Sequence, residues 1–372
     1  MSTTKKIRVG WIHRATHAES SNGWLRGHEL GRAALEAALG DRVDTEVVVG
    51  AGRGEGFVAA ARDFGERGFD LVFACDSRGG LEVLPVAAEY PATRYMHNQG
   101  VDLAPNFGTF RDARDEHAYV SGLLCGGMSR SGQLGCIGGA PGPTDLQIAN
   151  AWALGVRAAN PDAVIHDRWV GSYFADDQVE RERAAVLDLV DLGVDTFGGT
   201  LVEMPTITAL ASELGLWSMG RDPRSIDQPS VLDVAYVDWA PFYIAEAQAV
   251  LDGRWRARHV YLRARDGVVR NSPPSSVVPA EVAARALDAA ERLRAGTLDI
   301  WRGPIKDHTG RVRVPAGQTL ADVYDGPAPE PDLPADAAYL TSVQAAWLVE
   351  GFVGTVDPEQ EWLAVAAETR AL

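Results

Sequence analysis

From residue 7 onward the chain alternates short apolar runs with longer segments whose apolar residues recur at helical spacing. No other feature constrains the fold as much. IRVGWI (7–12), TEVVV (45–49), DLVFAC (70–75) and TRYMH (93–97) read as strands, and residues 23–39, 55–67 and 79–89 read as helices. Such an order buries its strands best in a parallel sheet with helices on both faces, joined by right-handed crossovers.

A second series follows, with helices predicted at 114–128, 144–159, 177–191 and 204–214. Its strands are predicted at 133–137, 163–170, 194–197, 216–219 and 231–237. Two α/β series in 372 residues predict two similar lobes. Residues 240–252 form a further helix stopped by Gly253, and 279–295 another with Pro279 in its first turn. The segment GPAPEPDLP (326–334) reads as an exposed loop, and the apolar 340–354 is expected to pack back on a lobe.

The formal net charge of −16 repels phosphate backbones and anionic lipid, so neither nucleic acid nor a membrane surface is an expected partner. No segment approaches the ~20 apolar residues that a membrane-spanning helix needs. Cys75, Cys125 and Cys136 are widely spread, in apolar or glycine-rich surroundings, and read as small buried side chains rather than a disulfide framework. The first residues carry neither a signal-like apolar run nor a cysteine that could take a lipid, so the expected location is cytoplasmic.

Ligands of parallel α/β sheets bind beyond the carboxyl ends of the strands. The loop after the first strand is the richest such place: His13, Arg14, Thr16, His17, Glu19, Ser20, Ser21 and Asn22, then Trp24 opening a helix. Trp24 could stack on a planar ligand or belong to the core. His13 and His17 have His-x-x-x-His spacing, but in a loop and with no third ligand, so no metal and no cofactor are expected. Further strand-end groups are Asp76, Ser77 and Arg78; His97, Asn98 and Gln99; Tyr173 and Phe174; Asp222; and Asp238 with Trp239. The aromatic residues serve equally as ligand platforms or as packing. The glycine-rich stretch at 50–57 does not fit Gly-x-Gly-x-x-Gly, and no Gly-x-Ser-x-Gly, Walker or His-Glu-x-x-His motif is present.

The segments VGWIH (9–13), NGW (22–24), FDLVFA (69–74), SGLLCGGMSRSGQLGCIGG (121–139), YVDWAPFYIAEAQAVLDGRW (236–255) and GTLDIWRGPIKDHTGRVRVPAGQ (296–318) carry a resemblance. With them the chain resembles the basic membrane protein family of periplasmic-binding-type receptors, which includes the purine nucleoside receptors. The resemblance implies a two-lobed type I periplasmic-binding-protein fold with the ligand cleft between the lobes. One lobe would hold residues 1–132, about 236–262 and 300–372; the other would hold 133–235 and about 263–299. It implies a purine nucleoside-like ligand held by Trp24 and by Tyr173 or Phe174, with Asn22, Asn150, Asp222, Asp238 and Trp239 around it. It also implies export, lipid anchoring and an ABC permease as partner.

Two departures matter. Ser21 and Asn22 stand where the family often has an acid, and TLVEMP (200–205) lacks an expected carboxylate unless Glu203 replaces it. Arg14, Arg78, Arg111, Arg221 and Arg224 crowd the strand-end loops, which points to an anionic ligand such as a nucleotide. The alternative reading is an enzyme or sensor on the receptor fold, using His13, His17, Glu19 and His97 for acid–base chemistry on a nucleoside-like or anionic aromatic molecule.

Overall fold

The computed structural model describes residues 5–14, 23–52, 54–76, 79–100, 102–171, 177–199, 205–323 and 347–354. They form two compact units. The first takes the described residues up to Asp112 together with Val237–Val268; the second takes Ala113–Tyr236 and the described residues from Val269 onward.

The first unit contains β1 (Ile7–Ile12), α1 (Gly23–Leu39), β2 (Val43–Val48), α2 (Glu55–Glu66), β3 (Leu71–Ala74), α3 (Gly79–Glu89), β4 (Arg94–Asn98) and β5 (Phe107–Asp112). The second opens with α4 (Arg114–Met128), β6 (Gln133–Gly138), α5 (Pro143–Ala159), β7 (Val164–Trp169), α6 (Gln178–Asp191), β8 (Thr196–Gly199), α7 (Pro205–Leu214), β9 (Trp217–Gly220) and β10 (Val231–Val237). The chain returns to the first unit for α8 (Ala240–Leu251) and β11 (His259–Leu262). It ends in the second with β12 (Val269–Asn271), α9 (Ala280–Arg294), β13 (Ile305–Lys306) and β14 (Val312–Val314).

Each unit has a six-stranded sheet, ordered β11-β5-β4-β3-β1-β2 and β12-β10-β9-β8-β6-β7. The shared 2-1-3-4-5 pattern reverses direction beside β1 and beside β6, the switch points where doubly wound folds take their ligands. In the first unit Trp11, Phe73, Met96 and Phe110 lie on the side shared with Leu35 of α1 and Phe242 and Tyr243 of α8. Ile12, Val72, Ala74 and Tyr95 pack on the other side with Phe57 and Phe64 of α2 and Val83 of α3. Each such fully buried side chain contributes roughly 1.5–3 kcal/mol.

The division falls at Asp112, earlier than the expected 132, because α4 packs in the second unit. A Cβ on Gly122 would lie 2.1 Å from the Trp152 carbonyl oxygen, and one on Gly126 2.4 Å from that of Val156, so α4 meets the backbone of α5. Residues 300–323 also belong to the second unit rather than the first. Trp301 Nε1 donates to Asp115 at 2.8 Å, and Asp307 bridges to Val349.

Strand β5 was not legible in the sequence. It pairs in parallel with β4, Tyr95 opposite Phe107 and Asn98 opposite Phe110. The described residues of the 99–106 connection that joins them contain no helix. Strands β11 and β12 are short chain returns that extend each sheet, and nothing in their local pattern announces them.

Candidate functional site

The carboxyl edge of the first sheet is built from the ends of β1, β3, β4 and β5, with α1 and α8 packed on the adjoining face. The residue after β1, His13, has its N–H donating to the Val48 carbonyl at 2.8 Å and its carbonyl accepting from Ala51 at 3.1 Å. Its buried ring lies 5.4 Å from that of His28, with Nε2 3.9 Å from Glu29 Oε1. Arg14 follows, partly buried, its carbonyl accepting from Gly52 at 3.0 Å.

Trp24 stands in the first turn of α1, partly buried. Its ring meets His28 at 4.7 Å and Trp239 at 5.6 Å, both at near-right angles. Trp239 itself is buried. His28 Nδ1 and the Tyr243 hydroxyl are 2.5 Å apart, and that hydroxyl reaches Cys75 Sγ at 3.7 Å. Burial pushes the Cys75 thiol up, so it stays protonated and packs as a small apolar group. The approach of α1 to α8 needs glycine: a Cβ on Gly31 would lie 2.8 Å from Trp239 Cβ.

The sequence missed His28. The signal was available, because Trp24 and His28, and equally Trp239 and Tyr243, stand at helical i, i+4 spacing. Two facing helices therefore each present an aromatic ring and a polar aromatic on one side.

At the end of β4, His97 is fully buried. A Cβ on Gly80 would fall 1.8 Å from its Cδ2, and one on Gly100 2.4 Å from its Nδ1. Its ring is thus clasped between two glycines, the placement of a packing histidine. Gln99 adopts φ 61, rare for a residue with a side chain. Its amide accepts from Arg111 Nε at 2.6 Å and donates to Asp112 Oδ1 at 3.2 Å. Asp238 accepts from Ala240 N at 3.1 Å and so starts α8, and its own N–H donates to the Val268 carbonyl at 2.7 Å.

In the second unit, buried Asp222 lies two residues past the end of β9. It accepts from the backbone N–H of Arg224 and from Arg224 Nε, each at 2.8 Å. Arg221, beside it, is buried. Asn150 is fully buried on α5. Its Nδ2 donates to the Trp347 carbonyl at 2.7 Å, and its Oδ1 accepts from Val349 N at 2.9 Å. Both ends of this amide hold the backbone of the C-terminal segment. Asn22, His17, Glu19, Ser21, Arg78, Tyr173, Phe174 and Glu203 lie outside the described residues.

The structure thus brings His13, Trp24 and Trp239 into one aromatic cluster and adds His28 and Tyr243. Chemically, the cluster offers flat apolar area with hydrogen-bonding nitrogens at its rim, which suits recognition of a planar, polar-edged molecule.

Residues 24–282 match the family of ABC transporter substrate-binding proteins described as PnrA-like. A purine-binding protein of Brucella abortus is 29% identical over 320 residues, 86% of this chain and 89% of that one. Among solved structures, an ABC transporter solute-binding protein from Conexibacter woesei has a TM-score of 0.63 at 21% identity, covering 79% of this chain and 98% of its own. A transcriptional activator of the comK gene from Bacillus halodurans has a TM-score of 0.67 at 19% identity, covering 78% and 98%. The sheets are those of the periplasmic-binding-protein fold, and the chain belongs to the PnrA-like family of ABC transporter substrate-binding proteins, a family of ligand-binding receptors.

Proposed function

We propose that the ligand of this receptor is a purine compound, nucleobase or nucleoside, held at the carboxyl edge of the first sheet with Trp24 as its stacking ring. The observation that carries this reading is the setting of Trp24: a partly buried indole at the switch-point edge, backed by the buried His28 and Trp239. The likeness to the Brucella purine-binding protein, spread over most of both chains, supports it.

The arginines extend the proposal to anionic purines. Arg14 lies two residues past β1 at the same edge, and of the strand-end arginines it stands nearest in the chain to the stacking ring of Trp24 on the next helix. Arg14 is thus the first candidate to meet a phosphate. The partner for delivery is an ABC permease, in keeping with the family description. Delivery requires export, against the cytoplasmic expectation from the sequence, and fractionation of the producing cell decides between the two.

The test is a thermal-shift and calorimetric screen of adenine, guanine, adenosine, guanosine, AMP and free sugars, with mass analysis of each mixture. A purine should raise Tm and be recovered intact. Trp24→Ala should weaken its binding about tenfold, the scale of one base–aromatic stack. A sugar as the only stabiliser would overturn the purine reading, and a new mass would favour an enzyme.

A further inference from the structure

Asn98 ends β4 and is 1% exposed, yet its amide nitrogen has no hydrogen-bond acceptor among the described residues. Side chains alternate along a strand. Asn98 therefore shares its side of the sheet with Met96, which packs with Trp11, Trp239 and Tyr243, whereas Tyr95 packs on the opposite side. Across the ladder Asn98 is paired with Phe110. The Phe110 ring meets Trp239 at 5.5 Å, and Trp239 meets Trp24 at 5.6 Å. An unanswered amide thus stands at the carboxyl end of a central strand, on the side of the sheet that carries the stacking cluster.

A buried donor without a partner destabilises a fold, and an apolar residue of the same shape does not. Leucine would fill this position with no such penalty. An uncompensated donor at the ligand-bearing edge of a doubly wound sheet has its natural acceptor in the ligand.

We propose that Asn98 is a specificity residue of the receptor. Its amide N–H donates to an acceptor on the rim of the planar ligand, a ring nitrogen or carbonyl oxygen, while Trp24 supplies the stacking face. This rests on the purine reading for the identity of the ring, but not for the role of the amide.

Asn98→Leu tests it, because a packing role and a binding role move stability and affinity differently. The ligand-free variant should melt at the same temperature as the wild type or higher. Its affinity for the purine that stabilises the wild type should fall more than tenfold. Asn98→Ala, read the same way against its own unfolding midpoint, covers the case in which leucine does not fit. Affinity within twofold of wild type in either folded variant overturns the proposal. A wild type that prefers another planar heterocycle, bound weakly by Asn98→Leu, would overturn the purine reading and keep Asn98. A wild type that binds only a sugar, with Asn98→Leu binding it equally well, would overturn both.

Discussion

His28 lies nearly parallel to Trp239, their ring centroids 4.5 Å apart and their planes 13° apart, with Nδ1 of His28 tied to the Tyr243 hydroxyl. One residue of α1 is thus stacked on Trp239, which caps α8, and tied to Tyr243 within that helix. Tyr243→Phe removes the hydroxyl and leaves a buried imidazole nitrogen without that partner. The expected cost is about 1–3 kcal/mol, read from the urea midpoint. Adding His28→Leu should recover part of the loss, because neither remaining group then needs a hydrogen bond. A double variant as unstable as the sum of the singles would show that stacking, not the hydrogen bond, joins the helices.

Gly122 and Gly155 are the two tightest points between α4 and α5, each facing a backbone oxygen of the other helix. Alanine has the better helix propensity, by about 1 kcal/mol in a helix interior, so on propensity alone Gly122→Ala should stabilise. The close backbone oxygen of Trp152 reverses the sign, because a carbonyl in the middle of α5 moves only if the whole helix moves. Gly122→Ala is expected to destabilise by about 1–3 kcal/mol or more. A rise in Tm would show that the two helices have room to separate.

The alternation of periods was enough to place both sheets and most helices, because each segment there obeys the rule for its own burial. It failed at β5, where Gly108, Thr109, Arg111 and Asp112 interrupt the apolar pattern and no helix precedes the strand. Phe107 and Phe110, buried by neighbouring strands, make the difference. At the candidate site, Trp24 and His13 were legible as a crowd of polar and aromatic groups after a strand. His28 and Asn98 were not, since their meaning lies in contacts with α8 and β5 from distant parts of the chain. Asn150 shows the reverse case: a polar residue that reads as a ligand clamp in one dimension meets a distant backbone in three.

Asp233 and His117 predict a masked pH dependence. Burial pushes Asp233 up to about 6, against hydrogen bonds from Asn271 and Ser121 and the nearby Arg221. The unfolded chain releases that proton near pH 3.9, so this contribution is fully present at low pH and is lost as pH rises from about 4 to 6. Burial, then the charges of Arg221 and Arg114, holds His117 well below its ordinary range. The folded histidine stays neutral while the unfolded one protonates below about 6.5, so its contribution is lost as pH falls. The two slopes oppose each other, each up to about 1.4 kcal/mol per pH unit. Asp233→Asn leaves the histidine slope alone, and its stability should fall by roughly 1 kcal/mol more than that of the wild type between pH 7.5 and pH 5. Identical urea midpoints for the two proteins at both pH values would show that Asp233 is already neutral or that its charge is fully compensated.

Asn150 separates a ligand clamp from a structural anchor. Its amide makes two buried hydrogen bonds to the backbone of the 347–349 segment. The same segment continues to Phe352, which bridges to Ile165 of β7, and Gly354, where a Cβ would fall 1.9 Å from Asp167 Oδ1. Asn150→Ala therefore strips a carbonyl and an N–H of their partners at one stroke, at about 1–3 kcal/mol for each group left buried. The segment should then loosen first: protease cleavage between residues 347 and 354 should speed up under conditions where the rest of the chain stays intact. Ligand affinity, measured on the fraction that remains folded, should stay within about twofold of wild type, because neither end of the amide is available to a ligand while the segment is in place. A tenfold loss of affinity with unchanged cleavage would return Asn150 to the binding site. It would mean that the bound state exchanges the Trp347 and Val349 backbone for the ligand.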